Sequence, residues 1–164
     1  MNRLVLTVWL SLACTPASSS FASLVHRFET PERIYETDED DLRHAIGSKS
    51  ADFAALTDKD LTKAEETVNY CERHSIGIVT YFDREFPSAL RKIPNPPVLL
   101  YYRGTLPDFD AVYCAAVVGT RRLSDYGRRM AFSVAADLAR SGAVIVSGMA
   151  VGIDGVALAG GLSE

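Results

Sequence analysis

The chain has 164 residues, of which 48% are hydrophobic and 23% are charged, and its formal net charge is −4. This balance excludes a disordered chain and a uniformly basic nucleic-acid binder of the histone type, but it allows a local basic site. The length predicts one domain or two small ones.

Cysteines and histidines are few and widely separated. No two cysteines have the C-x-x-C spacing of a zinc or redox site, and the odd number of cysteines leaves one unpaired. We therefore expect no disulfide framework, no bound metal and no cofactor. The residues are Cys14, Cys71, Cys114, His26, His44 and His74.

Charge and glycine divide the chain into two parts. Residues 1–74 carry 8 basic and 13 acidic side chains, whereas residues 75–164 carry 9 basic and 8 acidic ones. Gly47 is the only glycine of the first part, and the other ten follow residue 75. Since glycine is unfavourable in helices and common in α/β loops, we predict a helical module over 1–74 and an α/β module over 75–164.

The first 14 residues allow two interpretations. Arg3 precedes an apolar run that ends at Leu12-Ala13-Cys14, as in a secretory or lipoprotein signal. The run is short for a membrane span, and Thr7 and Ser11 would give a helix one polar stripe, as in a buried first helix. The residue pattern alone leaves both interpretations open.

Several short helices are predicted in the remainder of the first part. Thr30-Pro31-Glu32 is typical of a helix start, and Thr37 precedes acidic residues 38–41, which we interpret as the solvated start of another helix. A longer helix is expected to start near Thr57. Its predicted buried face comprises Leu61, Ala64, Val68 and Cys71.

From residue 75 onwards the pattern alternates between strands and helices. Strands are predicted over 76–79, 98–102, 115–118 and 144–146, and helices over 124–140 and from about 153. The last two strands are wholly apolar, which is typical of central parallel strands. This order predicts a βαβ unit of a Rossmann-like sheet, with Met130, Val134 and Leu138 as the apolar face of its helix.

Two loops after predicted parallel strands have the composition of phosphate-binding loops. In the first, Gly119 allows close backbone approach, Arg121 offers a planar fork for phosphate oxygens, and Ser124 caps the next helix. For Arg121 and Arg122 a solvated loop pair is the alternative. Solvation is the favoured interpretation of Arg128 and Arg129 on the helix.

The second loop, residues 147–155, has glycines and backbone N–H groups able to cradle another phosphate. Asp154 at the next helix start is interpreted as a cap or an orienting group rather than a catalyst. Neither loop has the glycine spacing of a dinucleotide site or of a P-loop. No histidine follows residue 74, so no Ser–His–Asp or Cys–His arrangement can be assembled in the second part.

Three stretches of the second part resemble one family. Residues 81–90 with 93–99 are similar to the entry segment of the DNA-processing protein family DprA, also called Smf. Residues 117–121, followed by Ser124, Tyr126 and Gly127, resemble its first motif, in which serine is more frequent where Thr120 stands. Residues 147–150 with 152–154 resemble its second motif.

The resemblance implies an α/β fold with a small helical, sterile-alpha-motif-like module followed by a Rossmann-like sheet. It favours a buried first helix, with Cys14 as a buried thiol. The implied function is non-enzymatic: a bacterial, cytoplasmic protein with no membrane association that binds single-stranded DNA. Such a protein protects incoming DNA in natural transformation, loads the RecA recombinase and forms a homodimer. The implied site comprises Gly119, Thr120, Arg121, Arg122, Ser124, Gly127, Ser147, Gly148, Gly152 and Asp154.

Two departures from the family pattern matter. Leu158 stands where the family usually has histidine, so no role of that histidine transfers to this chain. The sequence stops at Glu164, whereas the family sheet continues, so we expect a truncated member with an incomplete sheet, an exposed apolar edge and a missing dimer surface. The alternative function is a phosphoribohydrolase-like enzyme on nucleotides, whose Pro-Gly-Gly-x-Gly-Thr loop is absent here.

Overall fold

The computed structural model describes residues 2–16 and 18–164. The chain forms two compact units, Met1–Leu106 and Pro107–Glu164, and each is described by itself. Within the described ranges, every helix is too short or too polar to span a bilayer.

In its described residues the first unit begins with six helices, and their start signals are largely local. Thr30 caps α3 by accepting a hydrogen bond from the backbone N–H of Arg33, as predicted. Asp38, rather than Thr37, caps α4, because its carboxylate reaches the N–H of Asp41. The helices are α1 (Arg3–Ala13), α2 (Ser20–Phe28), α3 (Pro31–Glu36), α4 (Glu39–Ile46), α5 (Phe53–Thr57) and α6 (Thr62–Arg73).

The start of α6 differs from the prediction. Thr57 ends α5, and the longer helix begins only at Thr62, whose N–H and hydroxyl both donate to the Asp60 carboxylate. The predicted helix was placed too early because Thr57 and Asp60 have the spacing of a capping pair. Three of the four expected buried residues do lie inside, namely Ala64, Val68 and Cys71.

Helix α1 lies in the centre of the apolar core of this unit. Leu6, Val8 and Leu10 have no exposed surface, as the buried-helix interpretation predicts. Cys14 is buried at the end of this helix. Burial, with a smaller contribution from the negative charge of Asp52, raises the pKa of its thiol to about 12, so the thiol stays protonated.

Trp9 of α1 makes an aromatic contact with Tyr35 of α3. The rings of Trp9 and Tyr35 meet edge to face, with centroids 5.1 Å apart, and the ammonium of Lys59 lies 5.1 Å from one centroid and 5.4 Å from the other. Trp9 also donates its indole N–H to the carbonyl of Asp58. Burial lowers the pKa of Lys59, and the ring faces partly replace the lost hydration.

A buried carboxylate links the turn after α1 to the start of α5. Asp52 is 2% exposed and accepts hydrogen bonds from the backbone N–H of Thr15 at 2.8 Å and from the hydroxyl of Ser18 at 2.7 Å. Burial raises the pKa of this carboxyl, but the hydrogen bonds from Ser20, Thr15 and Ser18 outweigh it and lower the pKa to about 2.

The first unit continues past residue 74, where the sequence predicted the module boundary. Strands β1 (Gly77–Thr80) and β2 (Leu99–Tyr102) pair antiparallel with each other, with α7 (Ser88–Arg91) between them. Val98 and Leu99 are buried in the same core as α1, so this strand pair belongs to the helical unit. These strands are therefore not part of the parallel sheet for which the sequence proposed them.

The second unit is a βαβ arrangement followed by a helix. Strands β3 (Cys114–Ala116) and β4 (Val144–Val146) are parallel, with Cys114 opposite Val144, and α8 (Asp125–Arg140) connects them. Helix α9 (Ile153–Gly161) follows β4. The expectation of fully buried strands is not met, because Cys114 and Ala116 of β3 and Val146 of β4 are exposed.

The buried face of α8 consists of small residues. Of the predicted apolar face, Met130 and Val134 are 41% and 43% exposed and Leu138 is half-buried. The buried residues of this helix are Ala131, Ala135 and Ala136. The reason is close packing against α9: a Cβ on Gly160 would lie 2.4 Å from the carbonyl oxygen of Phe132. Larger side chains at this contact would force the helices apart.

We predict that Asp52→Asn lowers stability by about 2 kcal/mol at neutral pH, since a pKa drop of almost two units corresponds to that free energy. A lowered pKa in the folded state means that this stabilisation is present above pH 3.8 and is lost as the pH falls through about 2. Urea unfolding followed by circular dichroism over this range should show the difference from wild type fading in acid. Asp58→Asn, at an exposed position, is the control. A pH-independent difference for Asp52→Asn would contradict the prediction.

Candidate phosphate-binding site

The candidate site lies where β3 and β4 end. Because the two strands are parallel, the loops that follow them, residues 117–124 and 147–152, leave the sheet at the same edge. Ligands of open α/β sheets bind at this edge. The structure brings all ten sequence-predicted site residues onto these loops or onto the first turn of the helix after each.

Three hydrogen bonds join the two loops. The Asp154 carboxylate, 5% exposed, accepts the backbone N–H of Gly119 at 3.1 Å. The N–H of Ile153 donates to the carbonyl of Thr120 at 3.1 Å, and the hydroxyl of Ser147 donates to the carbonyl of Val117 at 2.7 Å. Asp154 is thus an orienting group, which is one of the two roles the sequence predicted for it.

Gly152 is needed where the loops cross. Its φ is +115°, a conformation that L side chains rarely adopt. A Cβ there would lie 2.3 Å from the carbonyl oxygen of Thr120 and 2.6 Å from the Cα of Arg121. Gly119 faces a similar restriction, since its Cβ would lie 2.7 Å from Cγ1 of Ile153. These two glycines let the loops approach each other, and the N–H of Gly119 already has a partner within the protein.

The first loop ends in a capped helix. Ser124 is the N-cap of α8, and its hydroxyl accepts the N–H of Gly127 at 3.1 Å. The hydroxyl of Thr120 accepts the N–H of Arg122 at 3.1 Å, which forms a tight turn around Arg121. This turn and the cap fix the two ends of the arginine-bearing segment.

A pocket of about 290 Å³ opens between the loops. Arg121 and Arg128 both line it, and within the described part of the chain neither takes part in an ion pair. Arg140, at the other end of α8, is instead paired with Asp137 and Glu164. The pocket is lined by Arg121, Leu123, Arg128, Val151, Gly152, Gly155 and Val156.

The remaining predicted residues lie beside the pocket rather than on its wall. Arg122 is exposed, and a Cβ on Gly148 would meet Oδ2 of Asp154 at 3.1 Å. Arg128 is the residue that sequence reasoning interpreted as solvated and that the structure places at the pocket. The sequence did contain an indication of this placement, because Arg128 follows the N-cap Ser124 by four residues and therefore lies on the first turn of α8. No three His, Cys, Asp or Glu side chains come together as a metal site among residues 2–16 and 18–164.

Comparison with known proteins gives one consistent result. The profile of the family described as DNA recombination-mediator protein A matches residues 77–164. Protein Smf of Synechocystis is 40% identical over 75 residues, which are 44% of this chain and 19% of that protein. DNA processing protein DprA of Bacillus subtilis is 32% identical over 81 residues, 49% of this chain and 27% of that protein. The chain thus spans less than a third of the length of either relative.

Among solved structures, DNA processing protein A of Streptococcus pneumoniae superposes on 99% of this chain and 55% of that one, with a TM-score of 0.72. The two sequences are 23% identical, so this similarity supports the mixed α/β fold and nothing further.

We predict that Gly152→Ala costs about 3 kcal/mol or more, because it combines a strained φ with a backbone clash. Gly142→Ala is the matched control, since its φ is +89° but the space around it is open, and about 1–2 kcal/mol is expected there. Hydrogen exchange at the Ile153 amide, which bonds to Thr120, reports the local effect. Equal losses of stability for the two variants would contradict the close contact of Gly152 with the backbone of Thr120 and Arg121.

We also predict that Asp154→Ala accelerates exchange of the Gly119 amide about 10- to 100-fold, because a hydrogen bond to a charged group contributes about 1.5–3 kcal/mol. Asp154→Asn keeps an acceptor oxygen and should retain most of the protection. If both variants leave the Gly119 amide as protected as in wild type, Asp154 does not hold the first loop.

Proposed function

Because the chain belongs to the DNA recombination-mediator protein A (DprA) family, we propose that it acts in DNA recombination by binding single-stranded DNA at the pocket of its second unit. The observation that carries the proposal is that Arg121 and Arg128 line one pocket where two parallel strands end, and that neither has an ion-pair partner among the residues the structure describes. Guanidinium groups match phosphate oxygens in geometry and charge.

Local charge supports a polyanionic ligand in spite of the acidic chain. Residues 119–140 contain five arginines and two aspartates, whereas the net charge of the whole chain is −4. Phosphate contacts give affinity without sequence preference, which suits a protein that must accept any strand.

A binding role also fits the use of the one carboxylate at the site. Asp154 is buried and already accepts the N–H of Gly119, so it organises the loops instead of facing the pocket as a free base. The proposal includes the finer functions that the family resemblance implies: cytoplasmic protection of incoming DNA in transformation, delivery of that DNA to the RecA recombinase, and homodimer formation. We propose these functions together with a role of the two loops of the second unit in binding phosphate groups.

The test is binding of a labelled oligothymidylate to the full chain at two salt concentrations. Arg121→Ala should weaken binding roughly tenfold and reduce the slope of log affinity against log salt by about 1, because one phosphate contact is lost. Arg103→Ala, an exposed arginine of the first unit, is the matched control. Failure of wild type to bind, or an Arg121→Ala variant with unchanged affinity and slope, would overturn the proposal.

A further inference from the structure

The pocket has a mixed lining that a site for phosphate alone does not need. Besides its two arginines, it is walled by Leu123, Val151 and Val156. Apolar walls gain nothing from contact with a phosphate group, whose oxygens remain strongly hydrated. They do gain from contact with a ring whose faces are apolar.

Of the neighbouring cations Arg128 and Arg129, one lies at the pocket and the other does not. They are consecutive on α8 and therefore point about 100° apart around the helix. Only Arg128 lines the pocket, and neither residue forms an ion pair within the described part of the chain.

Val151 is the second unusual feature. It is 83% exposed although it is apolar and lines the pocket, and the neighbouring Met149 is 81% exposed with a φ of +57°. Gly152, directly after Val151, is buried against Thr120 and Arg121, so the loop that carries Val151 is held in place. The backbone is thus anchored directly after Val151, whose apolar side chain at the cationic pocket is open to solvent.

From this arrangement we infer that the pocket takes a nucleotide unit: Arg128 is a second phosphate ligand beside Arg121, and the wall formed by Val151 and Leu123 contacts the nucleobase. The inference rests on the proposed function, and it adds residues that contact the base as well as the backbone of the bound strand. Apolar contact with a base face tolerates any sequence, as single-stranded binding requires.

The first experiment compares Arg128→Ala with Arg129→Ala in the full chain, using oligothymidylate at two salt concentrations. Arg128→Ala should weaken binding roughly tenfold and lower the salt slope by about 1, whereas Arg129→Ala should leave the slope close to that of wild type. Circular dichroism establishes that both variants retain their helices. Equal effects of the two substitutions would overturn the inference.

The second experiment separates base from backbone. Val151→Ser is tested on oligothymidylate and on an abasic oligonucleotide of the same length, with Val134→Ser, an exposed valine outside the pocket, as the control. Loss of apolar contact should weaken oligothymidylate binding roughly three- to tenfold and leave abasic binding unchanged. Equal weakening on both ligands, or none on either, would overturn the inference.

These outcomes are distinct from failure of the proposed function. If wild type binds neither oligonucleotide, or Arg121→Ala has no effect, both proposals fall. If Arg121→Ala weakens binding while Arg128→Ala or Val151→Ser behaves like its control, the proposed function stands and the nucleotide pocket does not.

Discussion

The candidate site depends on one buried carboxylate. Asp154 gives up hydration at the start of α9 and regains a partner in the N–H of Gly119, across the gap between two loops. A buried charge without such a partner is costly, so the contact keeps the loops together for as long as the unit is folded. This hydrogen bond also holds part of the pocket lining in place, because three lining residues lie within two positions of Asp154 in the chain. They are Gly152, Gly155 and Val156.

Much of the secondary structure follows from the sequence, because its signals are local. Caps such as those at Thr30 and Ser124 need only a side chain and the N–H groups a few residues ahead. Strand pairing is not local. A short apolar stretch such as 98–102 has the same appearance in a parallel sheet and in an antiparallel pair, and the helical core around α1 decides between them.

The buried face of α8 shows a second reason why the sequence alone does not predict the structure. Met130 and Val134 are more hydrophobic than alanine, so the amphipathic pattern predicts that the helix face carrying them is buried. The partner helix reverses the choice, since Gly160 brings the α9 backbone so close that only alanine fits between the two helices. Such a contact depends on two segments jointly, and neither one predicts it alone.

The site itself was partly predictable. Strand ends, glycines and Arg121 predicted a site at the carboxyl ends of the parallel strands, and the pocket lined by Arg121 and Gly152 lies there. What each glycine does was not predictable: Gly152 lies against the backbone of Thr120 and Arg121, and Gly119 lies against the side chain of Ile153, so neither leaves its space to a ligand. Which of Arg128 and Arg129 faces the pocket depends on how α8 is rotated about its axis. Neighbouring positions differ by about 100°, so an error of one residue is enough to select the wrong arginine.

The contact of Trp9 with Tyr35 and Lys59 has a spectroscopic consequence. Trp9 is the single tryptophan of the chain, and it lies in the first unit. Its emission depends on the ammonium beside its ring and on the indole hydrogen bond to Asp58, both of which disappear when that unit opens. Intrinsic tryptophan fluorescence is therefore a reporter placed in the first unit, and it follows the loss of these two contacts when that unit unfolds.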